Sequence, residues 1–310
     1  MEQLYLIREG LREFYSRFEG YIRSVLKFIL CLIVLISINS KIGYMSRLDN
    51  FALILIIALL CSFLPANLIV FFAAIFVALN SYALSIECAV VVAAIFFLMF
   101  LLYYRYSPKD TLAVLITPIC FFLKMPYLMP LIFGVIGTPL SAVSVSCGVI
   151  SYYLIEYVNS SYETISGMAD ANTVEKFKYI VDGLMHNKEM MVMVIAFSVT
   201  VIAVNLIKRL PIDHSWTIAL AFGAVLDIFV VIIAGSGAGI KINTGALIAG
   251  SLLSVLIAFI IKFFVFAVDY TKTERVQFED DEYYYYVKAV PKITKKTLGK
   301  EDHRKDRWNS

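Results

Sequence analysis

Two groups of residues in this 310-residue chain carry potential chemistry, and both lie inside apolar stretches. Asp227 stands in Gly223-Ala-Val-Leu-Asp-Ile-Phe229, well within the apolar run Ser215–Ala234. A carboxylate at membrane depth costs about 2.5–3.5 kcal/mol on insertion scales, so it must face other helices, be protonated or be paired. The chemistry it offers is proton or cation binding; the plainer role is a structural acid bonded to a neighbouring helix. Lys262, in the last apolar run, is the partner by sign. Depth argues against that pairing, because Lys262 falls near the cytoplasmic end and Asp227 nearer the outer end, and a lysine can extend to the interface.

The second group sits in Thr111–Val158, where Pro118, Pro126, Pro130 and Pro139 place four of the eight prolines within 22 positions. Each removes a helical hydrogen bond, and a carbonyl freed at membrane depth must be covered by protein, water or ligand. Ala113-Val-Leu-Ile-Thr-Pro-Ile119 is echoed by Gly134-Val-Ile-Gly-Thr-Pro-Leu140, and Ser141, Ser144, Ser146, Cys147 and Gly148 follow. Paired breaks of this kind mark the binding sites of transporters. Thr117, Pro118, Thr138, Pro139, Ser141, Ser144 and Asp227 are therefore the candidate pathway residues. The competing reading is a kinked helix that uses serine and glycine for close packing.

The elements that must position these residues are membrane spans. The chain is 60% hydrophobic, against roughly 45–50% in soluble proteins. The runs Ser24–Asn39, Phe51–Leu64, Asn67–Leu84, Ile86–Tyr104, Met190–Ile207, Ser215–Ala234 and Gly245–Val268 are apolar around the helical circumference. A charged segment precedes the first run, so the expected first span is retained rather than cleaved. Basic residues mark the cytoplasmic side. Arg8, Arg12, Arg17, Arg23 and Lys27 before the first span, Arg105 and Lys109 after the fourth, Lys208 and Arg209, and ten more after Val268 place both termini in the cytoplasm. Lys41, Arg47 and Lys241 on the outer side run against that assignment.

This orientation requires an odd number of crossings between Lys109 and Asn159. Thr111–Leu123 has 13 residues, short of the roughly 20 that span a bilayer. The expected solution is a re-entrant Thr111–Leu123 followed by one long tilted crossing over Tyr127–Val158, giving eight spans; three short crossings, giving ten, are the alternative. The fold class is thus an all-α, polytopic transmembrane helix bundle. It comprises an amphipathic interfacial helix (1–23), the bundle itself (24–268, with an external amphipathic loop over 159–188) and a cytoplasmic tail (269–310). The plasma membrane is the expected location, with the lipid bilayer as the surrounding partner and a homo-oligomer compatible with the pattern.

Secondary features refine this outline. Leu4, Ile7, Leu11, Phe14, Phe18, Ile22 and Val25 form an apolar stripe on the first helix, suited to the inner leaflet or to a cytoplasmic partner. In the external loop, Asn172 and Glu175 form a capping box ahead of the stripe Val174, Phe177, Val181 and Leu184. Ala219 and Gly223, with Ala246, Gly250 and Ser254, suggest close packing of the last two spans. Asn80, Glu87 and Asn205 fall near span ends, where polar residues are ordinary. The tail block Val276–Pro291 sets four acids against four tyrosines and reads as an extended strand ended by Pro291. A lone strand must pair. A cytoplasmic partner docking on Phe278, Tyr283, Tyr284, Tyr285 and Tyr286, or the protein's own cytoplasmic face, would supply the pairing; disorder is the third reading. Beyond Lys292 the composition is that of a disordered segment.

No HExxH, GxSxG or Walker A pattern is present, so no enzyme activity, cofactor, metal or nucleic-acid partner is indicated. The nearest phosphate motif, Gly235-Ser-Gly-Ala-Gly-Ile-Lys241, has isoleucine where glycine should precede lysine. If nucleotide is used, a partner chain must bring it. Cys31, Cys61, Cys88, Cys120 and Cys147 occur singly and read as packed core thiols.

The tail block Phe278–Pro291, with Ile42-Gly-Tyr-Met-Ser-Arg47, Tyr106-Ser-Pro-Lys-Asp110 and Leu115-Ile-Thr-Pro-Ile119, resembles an uncharacterised family of multi-pass membrane proteins from clostridial bacteria. The resemblance covers nearly the whole chain. Members are often labelled permeases of ATP-driven transporters, so it implies a permease-type membrane subunit. The cytoplasmic loops here carry no Glu-Ala-Ala followed by glycine. A transporter-like subunit is the expected function; the alternative is a membrane scaffold that recruits a cytoplasmic assembly through its tyrosine-rich tail.

Overall fold

A computed structural model describes residues 2–167, 172–240, 243–265, 274–279 and 283–289. Seven helices in it are long and apolar enough to cross a membrane: α2 (Glu19–Ile42), α4 (Ala66–Leu84), α5 (Ile86–Tyr106), α8 (Ser141–Ser160), α11 (Lys188–Lys208), α12 (Ser215–Ala238) and α13 (Thr244–Val265). The protein is an all-α, polytopic helix bundle of the integral membrane type. An amphipathic α1 (Glu2–Arg17) leads almost directly into α2, with Phe18 between them, and leaves Ile7, Leu11 and Phe14 exposed.

One expected span is short. α3 (Phe51–Phe63) has 13 residues, yet it runs antiparallel along most of α2. Ser62 Oγ donates to the Ser24 carbonyl and Lys27 Nζ to the Leu64 carbonyl, both at 2.9 Å, while Asn39 Nδ2 donates to Asp49 Oδ1 at the other end. Counting α3 and α8, the chain traverses the bundle eight times, α6 and α7 not included. The ends sort consistently: Ser24, Asn67, Asp110, Lys208 and Lys262 lie at one end, here termed basal. Tyr44, Asn80, Asn159 and Ala238 lie at the other.

Within the proline-rich region the expected long crossing over Tyr127–Val158 is absent. That segment breaks at Gly137-Thr138-Pro139 into α7 (Leu128–Ile136) and α8. The re-entrant unit is therefore larger than Thr111–Leu123. α6 (Thr111–Phe122) rises about 18 Å from the basal end, turns at Leu123–Tyr127, and α7 brings the chain back beside Asp110. Pro118 lies inside α6, whereas Pro139 coincides with the break. Lys124 occupies the tip of this hairpin in the left-handed region (φ 60°), an uncommon backbone setting for a residue with a Cβ.

About two thirds of α8 is buried, against 17–39% of the other six long helices, so α8 is the central element. α2 to α5 pack on one side of it and α7 with α11 to α13 on the other. At the end opposite the basal one α9 (Tyr162–Gly167) and α10 (Thr173–Met185) cover the bundle. Half of the stripe expected on α10 faces the core: Leu184 is buried and Phe177 half-buried, joined by Ile180, whereas Val174 and Val181 are exposed. Gly183 seats this face of α10 directly against the Tyr157 ring. Asn172 occupies the N-cap position of α10 but makes no side-chain cap bond.

The tail strand pairs with its own chain, which was not among the expected arrangements. β1 (Glu274–Glu279) and β2 (Tyr284–Ala289) form an antiparallel hairpin, with Phe278 opposite Tyr285 and Gln277 opposite Tyr286. The complementary strand is Glu274-Arg-Val-Gln-Phe-Glu279. The expected disorder beyond Lys292 falls outside the described residues.

Candidate functional site

The break at Gly137-Thr138-Pro139 is held together by side chains from three other elements. In a continuous helix the Val135 carbonyl would accept from residue 139, but proline has no N–H. Lys208 of α11 replaces that donor, with Nζ 2.9 Å from the Val135 carbonyl and 2.5 Å from that of Gly137. The Gly134 carbonyl would accept from Thr138, whose N–H instead donates to Ser141 Oγ at 2.9 Å. Asn205, one helical turn before Lys208, covers the gap by donating from Nδ2 to Gly134 (3.2 Å) and Gly137 (2.9 Å). Ser141 Oγ in turn donates to Asp110 Oδ2 at 2.6 Å, tying the start of the re-entrant hairpin to its end. Protein, not open space, satisfies the freed backbone here.

Asn205 is fully buried, and its role corrects the expectation that polar residues near span ends need no explanation. Asn80 is similar: it is fully buried, accepts from the Met45 N–H (3.3 Å) and anchors the α2–α3 loop.

The serine run on α8 makes contacts between helices. Ser144 Oγ shares a 2.5 Å hydrogen bond with Ser107 after α5, and Ser146 Oγ one of 2.9 Å with Ser198 of α11. Gly148 lets α6 approach so closely that a Cβ there would stand 2.6 Å from Thr117 Cβ. Thr117 itself is fully buried and donates from Oγ1 to the Ala113 carbonyl one turn back, at 2.6 Å. Pro118 lines a narrow apolar cleft with Val34, Val70 and Ile155. The two Thr-Pro pairs are thus not brought together: Thr138 and Pro139 lie in the basal knot, and Thr117 and Pro118 lie higher in the α6 packing.

Asp227 occupies a third location. It is the thirteenth residue of the 24-residue α12, about 18 Å from its start, which puts it at mid-depth rather than nearer the outer end. It is fully buried; Oδ1 accepts from Thr200 Oγ1 of α11 at 3.1 Å, and Oδ2 has no hydrogen-bond partner. Buried apolar residues flank it along the two helices, Phe197 and Val201 on α11 and Ala224 and Val231 on α12. Lys262 is engaged elsewhere, on Thr217 Oγ1 at the basal end, as depth requires.

The hairpin arm α7 packs into the cleft beside Asp227. Gly223 receives Val204 and Leu131, and Gly250 receives the Tyr127 ring at the hairpin tip. These glycines were expected to join α12 to α13. Those spans do lie against each other, but these two glycines face elsewhere, Gly223 toward α7 and α11 and Gly250 toward the Tyr127 ring. Around the tip, Phe121 stacks on Tyr152 at 4.4 Å and Tyr127 meets Phe197 edge-on at 6.1 Å.

Other candidates are placed as follows. Gly235 to Ala238 are the last turn of α12 rather than a loop, capped by left-handed Gly239 (φ 73°). A helix C-terminus presents carbonyls, the wrong polarity for phosphate. Lys188 Nζ donates to one of them, that of Ala238, at 3.0 Å. Tyr283, Tyr284 and Tyr285 are exposed on the tail hairpin, with Phe278 and Tyr286 at paired backbone positions. Among the described residues no cluster of three or more His, Cys, Asp or Glu is arranged to hold a metal ion.

Residues that sequence reasoning missed are Thr200, Asp110 and the bridging roles of Asn205 and Lys208. The last two share one face of α11, three positions apart, opposite a proline break; that spacing was a usable signal. Thr200 had none, since a threonine within a span is ordinary. Comparison with protein-family models, curated proteins and solved structures finds no match to this chain.

Proposed function

We propose that the chain is a permease-type transport subunit of the plasma membrane, coupled to protons or a small monovalent cation at Asp227. The observation that carries this reading is the Asp227 carboxylate, fully buried at mid-span, with one oxygen bonded to Thr200 and the other unpartnered. A buried carboxylate so placed holds a proton or a cation. Its neighbour is a re-entrant hairpin whose ends are fastened by side chains from other helices, an arrangement that can shift without breaking a span. The basal end gathers Arg23, Lys27, Arg105, Lys109, Lys208 and Arg209, which supports cytoplasmic termini.

Proteoliposomes containing a pH-sensitive dye, tested under imposed sodium, potassium and proton gradients, give the direct test. Wild-type protein should move protons or the cation faster than protein-free vesicles, and Asp227→Asn should return the rate to the protein-free level. Equal rates for wild type, variant and empty vesicles under all gradients would refute the reading.

A scaffold reading is favoured by one observation, the exposed Tyr283, Tyr284 and Tyr285 on the β hairpin. Under it, Asp227→Asn is silent in cells and deletion of Val276–Pro291 is not.

A further inference from the structure

A cavity at membrane depth lies away from Asp227, on the flank formed by α4 and α5. It has a volume of about 290 Å³ and opens between these helices. Ala74 and Ala78 on α4 and Ala93 on α5 leave it hollow. Small residues at such positions usually let two helices close on each other. Here the Phe71 and Phe100 rings meet edge-on at 6.3 Å across the two helices, beside the hollow. The floor is set deeper, by Val114 of α6 and by Cys147 and Ser151 of α8, all three buried. The floor's polar groups are engaged within the protein: Ser151 Oγ donates to the Cys147 carbonyl at 2.9 Å, and Cys147 Sγ to that of Met99.

Such a void holds no water, because water needs two or more polar partners. Left empty, it forfeits dispersion contacts along every wall. Its rim residues Phe71, Ile75 and Phe97 are exposed on the outer surface of two membrane-length helices, so the adjoining medium is lipid. The dimensions fit one leaflet. From Val70 to Ala78 the groove runs about 12 Å, and from Ala93 to Tyr103 about 15 Å. Half of a bilayer's hydrocarbon core is about 15 Å. Its basal limit is polar: Tyr103 donates to Asn67 Oδ1 at 2.7 Å and shares a 2.6 Å hydrogen bond with Thr111 Oγ1.

We infer that this groove is a binding site for one acyl chain of a membrane phospholipid from the leaflet at the basal end, with the headgroup at the level of Asn67 and Tyr103. The chain lies between α4 and α5 with its flank on Cys147 and Ser151. The site does not depend on whether the protein transports anything.

The test uses full-length protein in phosphatidylethanolamine and phosphatidylglycerol vesicles, doped with phosphatidylethanolamine carrying a diazirine in its acyl chain. After photolysis, mass spectrometry locates the adducts. Adducts on Val114, Cys147 or Ser151 are expected, since lipid merely surrounding the bundle does not reach buried residues. Ala78→Phe and, separately, Ala93→Leu should fill the groove and reduce those adducts several-fold, leaving adducts on outward-facing Leu98 and Leu101 unchanged. Adducts confined to Phe97, Leu98 and Leu101 in the wild type would overturn the proposal whether or not either variant folds. So would floor adducts formed by a photoactivatable free fatty acid but not by the phospholipid.

Discussion

Lys208 donates a hydrogen bond to the Val135 carbonyl at 2.9 Å, the one acceptor that Pro139 deprives of its helical donor. A cation from α11 thereby closes a gap made by the sequence of a different helix. Lys208→Met removes that donor and leaves the Val135 carbonyl without one. Loss of about 1–3 kcal/mol of stability follows for an unsatisfied buried acceptor. Denaturant titration in mild detergent measures it. Asn205→Leu should cost a similar amount, and the double variant less than the sum, because both side chains serve Gly137. Additive losses would show that the two act independently.

Gly223 marks where three helices meet. A Cβ there would stand 2.3 Å from Val204 Cγ2 and 3.0 Å from Leu131 Cδ2. Gly223→Ala should therefore destabilise the bundle by about 1–3 kcal/mol, the usual cost of overpacking. Val204→Ala removes the closest atom and leaves Val204 Cβ at 3.7 Å and the flexible end of Leu131 at 3.0 Å. The double variant should recover most of the loss in a thermal melt. If Val204→Ala fails to rescue Gly223→Ala, the notch is not the contact described.

The outline of the bundle was legible because apolar runs longer than about 17 residues have few alternatives to a span. The basal knot was half legible. Pro139 announces an uncovered carbonyl, but which side chain covers it depends on where α11 passes, and nothing local to Thr138 encodes that. Asp227 was legible by its cost, whereas its partner Thr200 was not. The long crossing over Tyr127–Val158 was misread because hydropathy alone does not register that Gly137-Thr138-Pro139 ends a helix. Gly223 and Gly250 were read as a small-residue stripe, which shows that a close approach exists but not which helix makes it. The tail strand was found and its partner missed, since Glu274-Arg-Val-Gln-Phe-Glu279 has charged residues at three of six positions and a weaker strand signal than the tyrosine run.

Orientation can be settled with thiols, because all five native cysteines are buried. The wild-type background for a membrane-impermeant maleimide on intact cells should be low. Glu175→Cys, on exposed α10, should label from outside without permeabilisation. Lys109→Cys, at the basal end, should label only after the membrane is opened. The reverse pattern would invert the topology and place the basic cluster outside.

Asp227 and Thr200 separate structural from coupling roles. Asp227→Asn is nearly isosteric, keeps an oxygen to accept from Thr200, and removes the need to bury a charge. Stability should hold or rise, by up to about 2.5–3.5 kcal/mol if the carboxylate is charged in the resting bundle. Thr200→Val keeps the shape but strips Asp227 of its only hydrogen-bond partner among the described residues. A charged carboxylate would then be wholly unpaired, so this variant should lose about 3–5 kcal/mol, the range for breaking a buried charged contact. A carboxyl that is protonated at rest would lose only about 1 kcal/mol, the worth of one neutral hydrogen bond. The two variants melted side by side in detergent therefore report the resting charge of Asp227. A rise for Asp227→Asn with a large fall for Thr200→Val means a resident negative charge awaiting a cation, whereas two small changes mean a proton is already bound. A large loss in Asp227→Asn itself would make Asp227 a structural acid and remove the basis for coupling there.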